Sequence, residues 1–253
     1  MGVTGKRAPR IPASPLADTV LERLTAAYLP AADPERAAAM RAYMRDVSPF
    51  LGLSSPVRRA LDRTVVRGLP RPDETDCTAI ALRCWELPER EYRYFAVDWL
   101  RRQVRHCSSG FLPVVRHLIT TDPWWDTVDL LAAHVVGPLV AAEPKLKDVM
   151  DEWAGDDDLW LARTALLHQL RYKERTDTGR LFGYCLRQAG HPDFFIRKAV
   201  GWCLREYAKT DPDAVRAFVD GHRDRLAPLS VREALKNIGD RPVVSPQPPT
   251  GRP

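Results

Sequence analysis

The chain has 253 residues, 45 % of them apolar, which is enough to bury one substantial core. Its formal net charge of +5 favours a polyanionic partner, and the absence of any run of 18 apolar residues or of an apolar stretch after the first Met argues against a membrane span or a secretory leader. Five cysteines, odd in number and without a CxxC pair, read as buried thiols in a reducing, cytoplasmic setting, and six scattered histidines give no metal-ligand spacing, so neither a metal nor a cofactor is expected.

In chain order, residues 1–15 are basic, Pro-containing and aperiodic, and read as a disordered leader. The fold is expected over residues 16–240, followed by a disordered Pro-rich tail over 241–253. Within the fold, Asp33-Pro34, Ser55-Pro56, Asp122-Pro123 and Asp211-Pro212 each set a side-chain acceptor at a helix N-cap and a proline at the first helical position. His191-Pro192 and Ala227-Pro228 mark further starts with weaker caps. No alternating strand and no Asn-Gly or Asp-Gly hairpin intervenes. The expected fold class is all-α, with about twelve or thirteen short helices. Starts about 15–20 residues apart, with pairs recurring at about 35–40, are typical of a HEAT-like α-solenoid. An ordinary globular helical fold is the alternative.

The segment from Asp122 carries Val128, Leu131, Ala132 and Val135 on one face, with Trp125 and Asp129 one turn apart on its flank, where both can address one ligand. Asp126 is accounted for by the helix dipole and is set aside. For Asp129, a structural role stands beside the functional one. In DDLWLARTALLHQLRYK, Leu159, Leu166, Leu167 and Leu170 define an apolar stripe, and Arg163 lies in its middle. A guanidinium there needs a partner: either a carboxylate of a neighbouring repeat, or a ligand phosphate or Asp129.

In FFIRKAVGWCLREYAK, Ile196, Val200, Cys203, Leu204 and Tyr207 share a face, while Lys198, Trp202, Arg205 and Lys209 stand opposite. A tryptophan among three cations reads either as an aromatic platform beside DNA-backbone-binding Lys198, Arg205 and Lys209, or as a side chain covered by the next repeat or stacked on Arg205. Charge divides in the same direction. Residues 122–158 hold ten acids against Lys145 and Lys147, whereas residues 159–209 hold ten Lys or Arg against four acids.

Four stretches, AYMRDVSPFLGLSSPVRR, DPWWDTVD, LWLARTALLHQLRYK and FFIRKAVGWCLREYAK, resemble the signature blocks of the AlkD-type HEAT-repeat DNA glycosylases, in the same order and over about residues 33–240. The resemblance implies that Tyr43, Trp125 and Trp202 contact the lesion and its sugar, that Asp129 is the catalytic carboxylate, assisted by Trp125, and that Arg163 is the active-site arginine. It implies hydrolysis of the N-glycosidic bond of alkylated purines in double-stranded DNA, with the lesion left in the stack rather than extruded into a pocket. All five positions fit the family pattern. The expected protein is a monomer whose concave face is open to DNA. The rival reading is a noncatalytic HEAT-repeat adaptor for DNA or protein. A helix-hairpin-helix glycosylase lacks its Gly-rich hairpin here, and nucleotide-binding enzymes lack GxGxxG and GxxxxGK[ST].

Overall fold

The computed structural model describes residues 9–239. Most of the leader (residues 1–8) and the whole 241–253 tail lie outside the described residues. Among the described residues there are thirteen α-helices and short 3₁₀ turns, with no strand. The chain divides into two compact units, the first ending at Asp148 and the second beginning at Val149.

The first unit comprises α1 (Pro15–Tyr28), α2 (Pro34–Tyr43), α3 (Ser55–Val65), α4 (Glu74–Glu86), α5 (Arg90–Gln103), α6 (Leu112–Thr120) and α7 (Trp125–Ala142). Its caps follow side-chain chemistry. The Ser14 hydroxyl accepts Ala17 N–H ahead of Pro15, and the Asp33 carboxylate accepts Arg36 N–H ahead of Pro34. Asp73 and Asp76 close a reciprocal capping box on α4. α1 packs on α3 and α4, α4 on α5, and α5 on α7, and these helices bury their apolar faces against one another, whereas α2 has no buried residue. A buried charge network sits in this unit. Tyr28 donates to Asp62, whose carboxylate also takes Arg58 at 2.8 Å, and Arg58 reaches Asp98 at 2.9 Å.

Three expected boundaries move. Asp122-Pro123 does not open a helix: Asp122 is in a left-handed conformation (φ 44°), its carboxylate and carbonyl accept from Arg93, and α7 starts at Trp125. The helix at Ser55-Pro56 includes Ser55, with Ser54 as the cap residue. His191-Pro192 precedes the helix by two residues, because Asp193 caps it through Phe195 N–H.

α7 is one helix with a π turn at Ala132–Val136 just ahead of Pro138. Proline donates no N–H to residue 134 and its ring crowds that carbonyl; the wider turn accommodates both. By length and composition α7 matches a membrane span, but more than half of it is buried within the fold.

The second unit comprises α8 (Leu146–Trp153, which the division between units crosses), α9 (Leu159–Leu167), α10 (Thr178–Arg187), α11 (Phe194–Tyr207), α12 (Pro212–Gly221) and α13 (Pro228–Leu235). α9 is buried on every side from Trp160 to Leu167, which a one-sided stripe did not anticipate. It also ends earlier than DDLWLARTALLHQLRYK suggests, leaving Leu170 outside the helix. The Gln169 side chain exchanges two hydrogen bonds with the Asp177 backbone (2.7 and 3.3 Å), and Lys173 adopts φ 53°, so the chain is drawn into a turn. α11 crosses α13 closely at Gly201, where an added Cβ would come within 2.4 Å of the Glu233 Cβ.

Beyond the end of α9, His168 is buried against Tyr172 and Tyr184, with Nδ1 2.7 Å from the Ala165 carbonyl. Burial pushes its pKa down to about 4. Between pH 4 and the unfolded value near 6.5 the unfolded chain takes up a proton that the folded chain does not, so stability falls as pH falls through that window, by about 3 kcal/mol in total. Urea midpoints of native protein and His168→Gln at pH 7.5 and pH 4.5 check this: the native protein loses the larger share of its stability, and an equal loss in both excludes His168 as the source.

Candidate functional site

In the first unit the site is organised by the N-terminal end of α5. Arg90 is wholly buried and grips both Asp126 oxygens, through Nε at 2.8 Å and Nη2 at 2.5 Å. The same guanidinium reaches Ser48 Oγ and Thr127 Oγ1, each at 3.3 Å, and the Tyr94 hydroxyl donates to Asp126 at 2.5 Å. Burial opposes the Arg90 charge, yet the hydrogen bond and field of Asp126 leave its pKa raised; the Tyr94 hydroxyl is raised by burial and by Asp126. Asp126, set aside in the sequence as a dipole effect, is therefore the carboxylate that fixes the start of α7.

The neighbouring Glu91 is also wholly buried, and its carboxylate accepts the N–H groups of Leu51, Gly52 and Leu53 (3.0, 2.9 and 3.1 Å). Pro49 carbonyl accepts Arg90 N–H. Residues 48–53 are thus strapped to α5. Gly52 is required there: its φ is 86°, and a Cβ would lie 2.1 Å from the Asp33 carbonyl oxygen.

This strap sets where Tyr43 is displayed. Tyr43 ends α2 and is 77 % exposed, and Arg45 and Asp46 after it are both left-handed (φ 57° and 59°), held by the Arg41–Asp46 pair at 2.7 Å. Two consecutive non-glycine residues in this region carry strain that the strapped loop sustains. Trp125 and Asp129, on α7, are both half-buried, on the flank of the fully buried Val128, Leu131 and Ala132. They lie one turn apart on either side of the Arg90-anchored carboxylate in the sequence, and the loop after Tyr43 shares that anchor through Ser48.

In the second unit Arg163 is buried in α9. Its Nη1 donates to the Phe195 carbonyl, and the guanidinium lies 5.8 Å from the Phe195 ring centre. Arg163 is thereby tied to the first turn of α11. Trp202, half-buried on α11, stands between Lys198 and Arg205, and these two cations converge on Glu233 of α13, Lys198 at 2.7 Å. Lys198 foremost, then Arg205, holds the Glu233 carboxyl below the usual range. Lys209, the most exposed of the three cations, pairs with Glu206 at 2.6 Å. Tyr43, Trp125 and Asp129 belong to the first unit, and Arg163, Trp202, Lys198, Arg205 and Lys209 to the second.

Sequence reasoning missed Arg90, Glu91, Arg93 and Glu233. Nothing local in REYRYF marks its charges as buried, because their partners lie some 30–40 residues away. Among the described residues no group of three or more His, Cys, Asp or Glu side chains forms a metal-binding set. Four of the five thiols are buried, and the Cys185 and Cys203 sulfurs lie 3.5 Å apart.

The described residues form an all-α architecture of thirteen helices, with an aromatic residue and a carboxylate one turn apart on α7. The chain belongs to the DNA alkylation repair enzyme family, whose description matches residues 24–238. A structure from Enterococcus faecalis, described as a predicted DNA alkylation repair enzyme, is 30 % identical and superposes with a TM-score of 0.75, covering 83 % of this chain and 98 % of its own. AlkD2 from Streptococcus mutans shares the fold at 16 % identity (TM-score 0.57; 75 % of this chain, 92 % of its own). So does smu.31 from Streptococcus mutans UA159, also 16 % identical (TM-score 0.56; 80 % and 99 %). No curated protein matches the chain.

Removing one partner of the Arg90–Asp126 pair leaves a buried charge uncompensated. Arg90→Met is expected to destabilise the protein by about 3–5 kcal/mol, and Arg90→Met with Asp126→Asn by clearly less. Urea denaturation of the two single variants and the double variant measures the coupling; strictly additive losses would show that the pair is not an energetic unit.

Proposed function

We propose that the protein is a DNA glycosylase that hydrolyses the N-glycosidic bond of cationic alkylated purines, of the N3-methyladenine or N7-methylguanine type, in duplex DNA. The observation that carries this reading is the half-exposed Trp125–Asp129 pair on a helix whose start is locked by Arg90. Family membership supplies the class of substrate, and the site supplies the chemistry.

Cleaving the bond builds positive charge on the deoxyribose. Asp129 stabilises that oxocarbenium-like state and orients the attacking water. A purine alkylated at N3 or N7 is already cationic and leaves neutral, so no general acid has to protonate it. The faces of Trp125 and Trp202 favour the cationic sugar and base by about 0.5–2 kcal/mol each, and Tyr43, the most exposed of the three aromatics, adds a contact to the lesion strand. Arg163 meets a phosphate flanking the lesion, and Lys198, Arg205 and Lys209 contact the backbone. Glu233 holds Lys198 and Arg205 in place, and these three side chains together keep one net positive charge. In this reading the lesion is processed while stacked, so bulky adducts are admissible, and the protein acts as a monomer in the cytoplasm, on the chromosome.

Single-turnover release of methylated purine from methylated duplex, with Asp129→Asn as comparison, tests this. The expected result is release by the native protein and a loss of at least about 100-fold in the variant with duplex affinity retained. A folded native protein that binds duplex and releases nothing is a noncatalytic HEAT-repeat binder.

A further inference from the structure

At the far end of α5, about 15 Å along the helix axis from the residues that hold Asp126, the first unit carries a second feature. A cleft of about 480 Å³ opens between the turn after α3 and the end of α5, with Pro70 and Trp99 among its apolar lining and Arg71, Arg102, Arg105 and His106 around it. The three arginines are exposed. Among the described residues none of them pairs with a carboxylate, whereas half of the other arginines of this unit do.

What the guanidinium groups face instead is the His106 ring. Arg71 Nη2 lies 2.8 Å from Nδ1, and Arg105 Nε lies 3.1 Å from Nε2. A neutral imidazole accepts at one nitrogen only, and a protonated one accepts at neither, so at least one of these contacts sets donor against donor. The cluster has more donors than acceptors and more positive charge than the protein neutralises, and an oxyanion in the cleft corrects both deficits.

We propose that this cleft is a phosphate-binding site, separate from the Trp125–Asp129 site, that seats the backbone of a DNA strand. The inference rests on the duplex-binding part of the function proposed above and adds a second point of attachment to it. Exposed cations at the mouth of an open cleft suit a long strand passing over them, whereas a small free anion is held in an enclosed pocket. Guanidinium groups recognise phosphate oxygens by paired N–H donors and carry no base information, so the site contributes affinity and register without lesion selectivity.

The test is fluorescence anisotropy with a labelled, undamaged duplex over a series of salt concentrations, comparing native protein, Arg71→Ala/Arg105→Ala, and Arg225→Ala/Arg232→Ala as a control with the same charge loss at exposed positions of the second unit. Arg71→Gln/Arg105→Gln replaces the first double variant if that fails to fold. Loss of two phosphate contacts is expected to make the plot of log K against log salt shallower by about 2 and to weaken binding several-fold at 0.1 M salt, with the control near native. A native-like slope in the Arg71/Arg105 variant overturns the proposal, as does a native protein that does not bind duplex. Calorimetry with inorganic pyrophosphate separates the sources: heat lost in the variant while its duplex slope is unchanged makes this a site for a free phosphate compound and overturns the assignment to DNA. Native protein that binds duplex with the expected slope but releases no methylated purine would refute the glycosylase reading and leave the cleft assignment standing.

Discussion

Everything displayed by the first unit hangs on two adjacent buried charges, Arg90 and Glu91, at the start of α5. A buried guanidinium or carboxylate carries a large desolvation cost, so each is tolerated only with its hydrogen-bonding capacity filled. Arg90 meets this requirement with both oxygens of Asp126, and Glu91 with three consecutive backbone N–H groups. The two anchors point to different segments, α7 and residues 51–53. One rigid helix end thereby registers the carboxylate helix against the loop that follows Tyr43.

The consequence for chemistry is preorganisation. Trp125 and Asp129 flank a fully buried apolar face, and the first turn of their helix is pinned rather than frayed, because the shortened N-terminus at Trp125 is held through Asp126 in place of a side-chain cap. A carboxylate that stabilises a developing cation is most effective when it does not reorganise as charge appears. The π turn one step further on, imposed by Pro138, changes the helical phase after Asp129, so the face that carries Asp129 is not continued by the residues beyond it.

The second unit solves a similar problem with a different device. Lys198 and Arg205 flank Trp202, and Glu233 draws both into fixed positions while the close α11–α13 crossing at Gly201 keeps that carboxylate near. Arg163, at the other end of α11, is held by the Phe195 carbonyl and ring. Cations that are partly neutralised in this way lose some long-range attraction for a polyanion but gain definite geometry, whereas Arg71 and Arg105 in the first unit have no carboxylate partner within salt-bridge distance among the described residues.

Sequence by itself determined the all-α class, the helix starts at Pro34, Pro212 and Pro228 and the i, i+4 placement of Trp125 and Asp129, because caps, prolines and apolar spacing are local properties of the chain. It placed Asp33-Pro34 and Asp211-Pro212 correctly, since those carboxylates do accept the N–H groups just after them. It misplaced Asp122-Pro123, since Arg93, 29 residues away, takes that carboxylate. It also could not distinguish a solvated charge at a helix start from a buried anchor, nor see that Glu233 would gather Lys198 and Arg205. Those outcomes depend on which residues meet after some 30–40 residues of intervening chain have packed, and only the tertiary structure decides whether a charge ends beside water, beside its partner, or, as for Arg71 and Arg105, on either side of one imidazole ring.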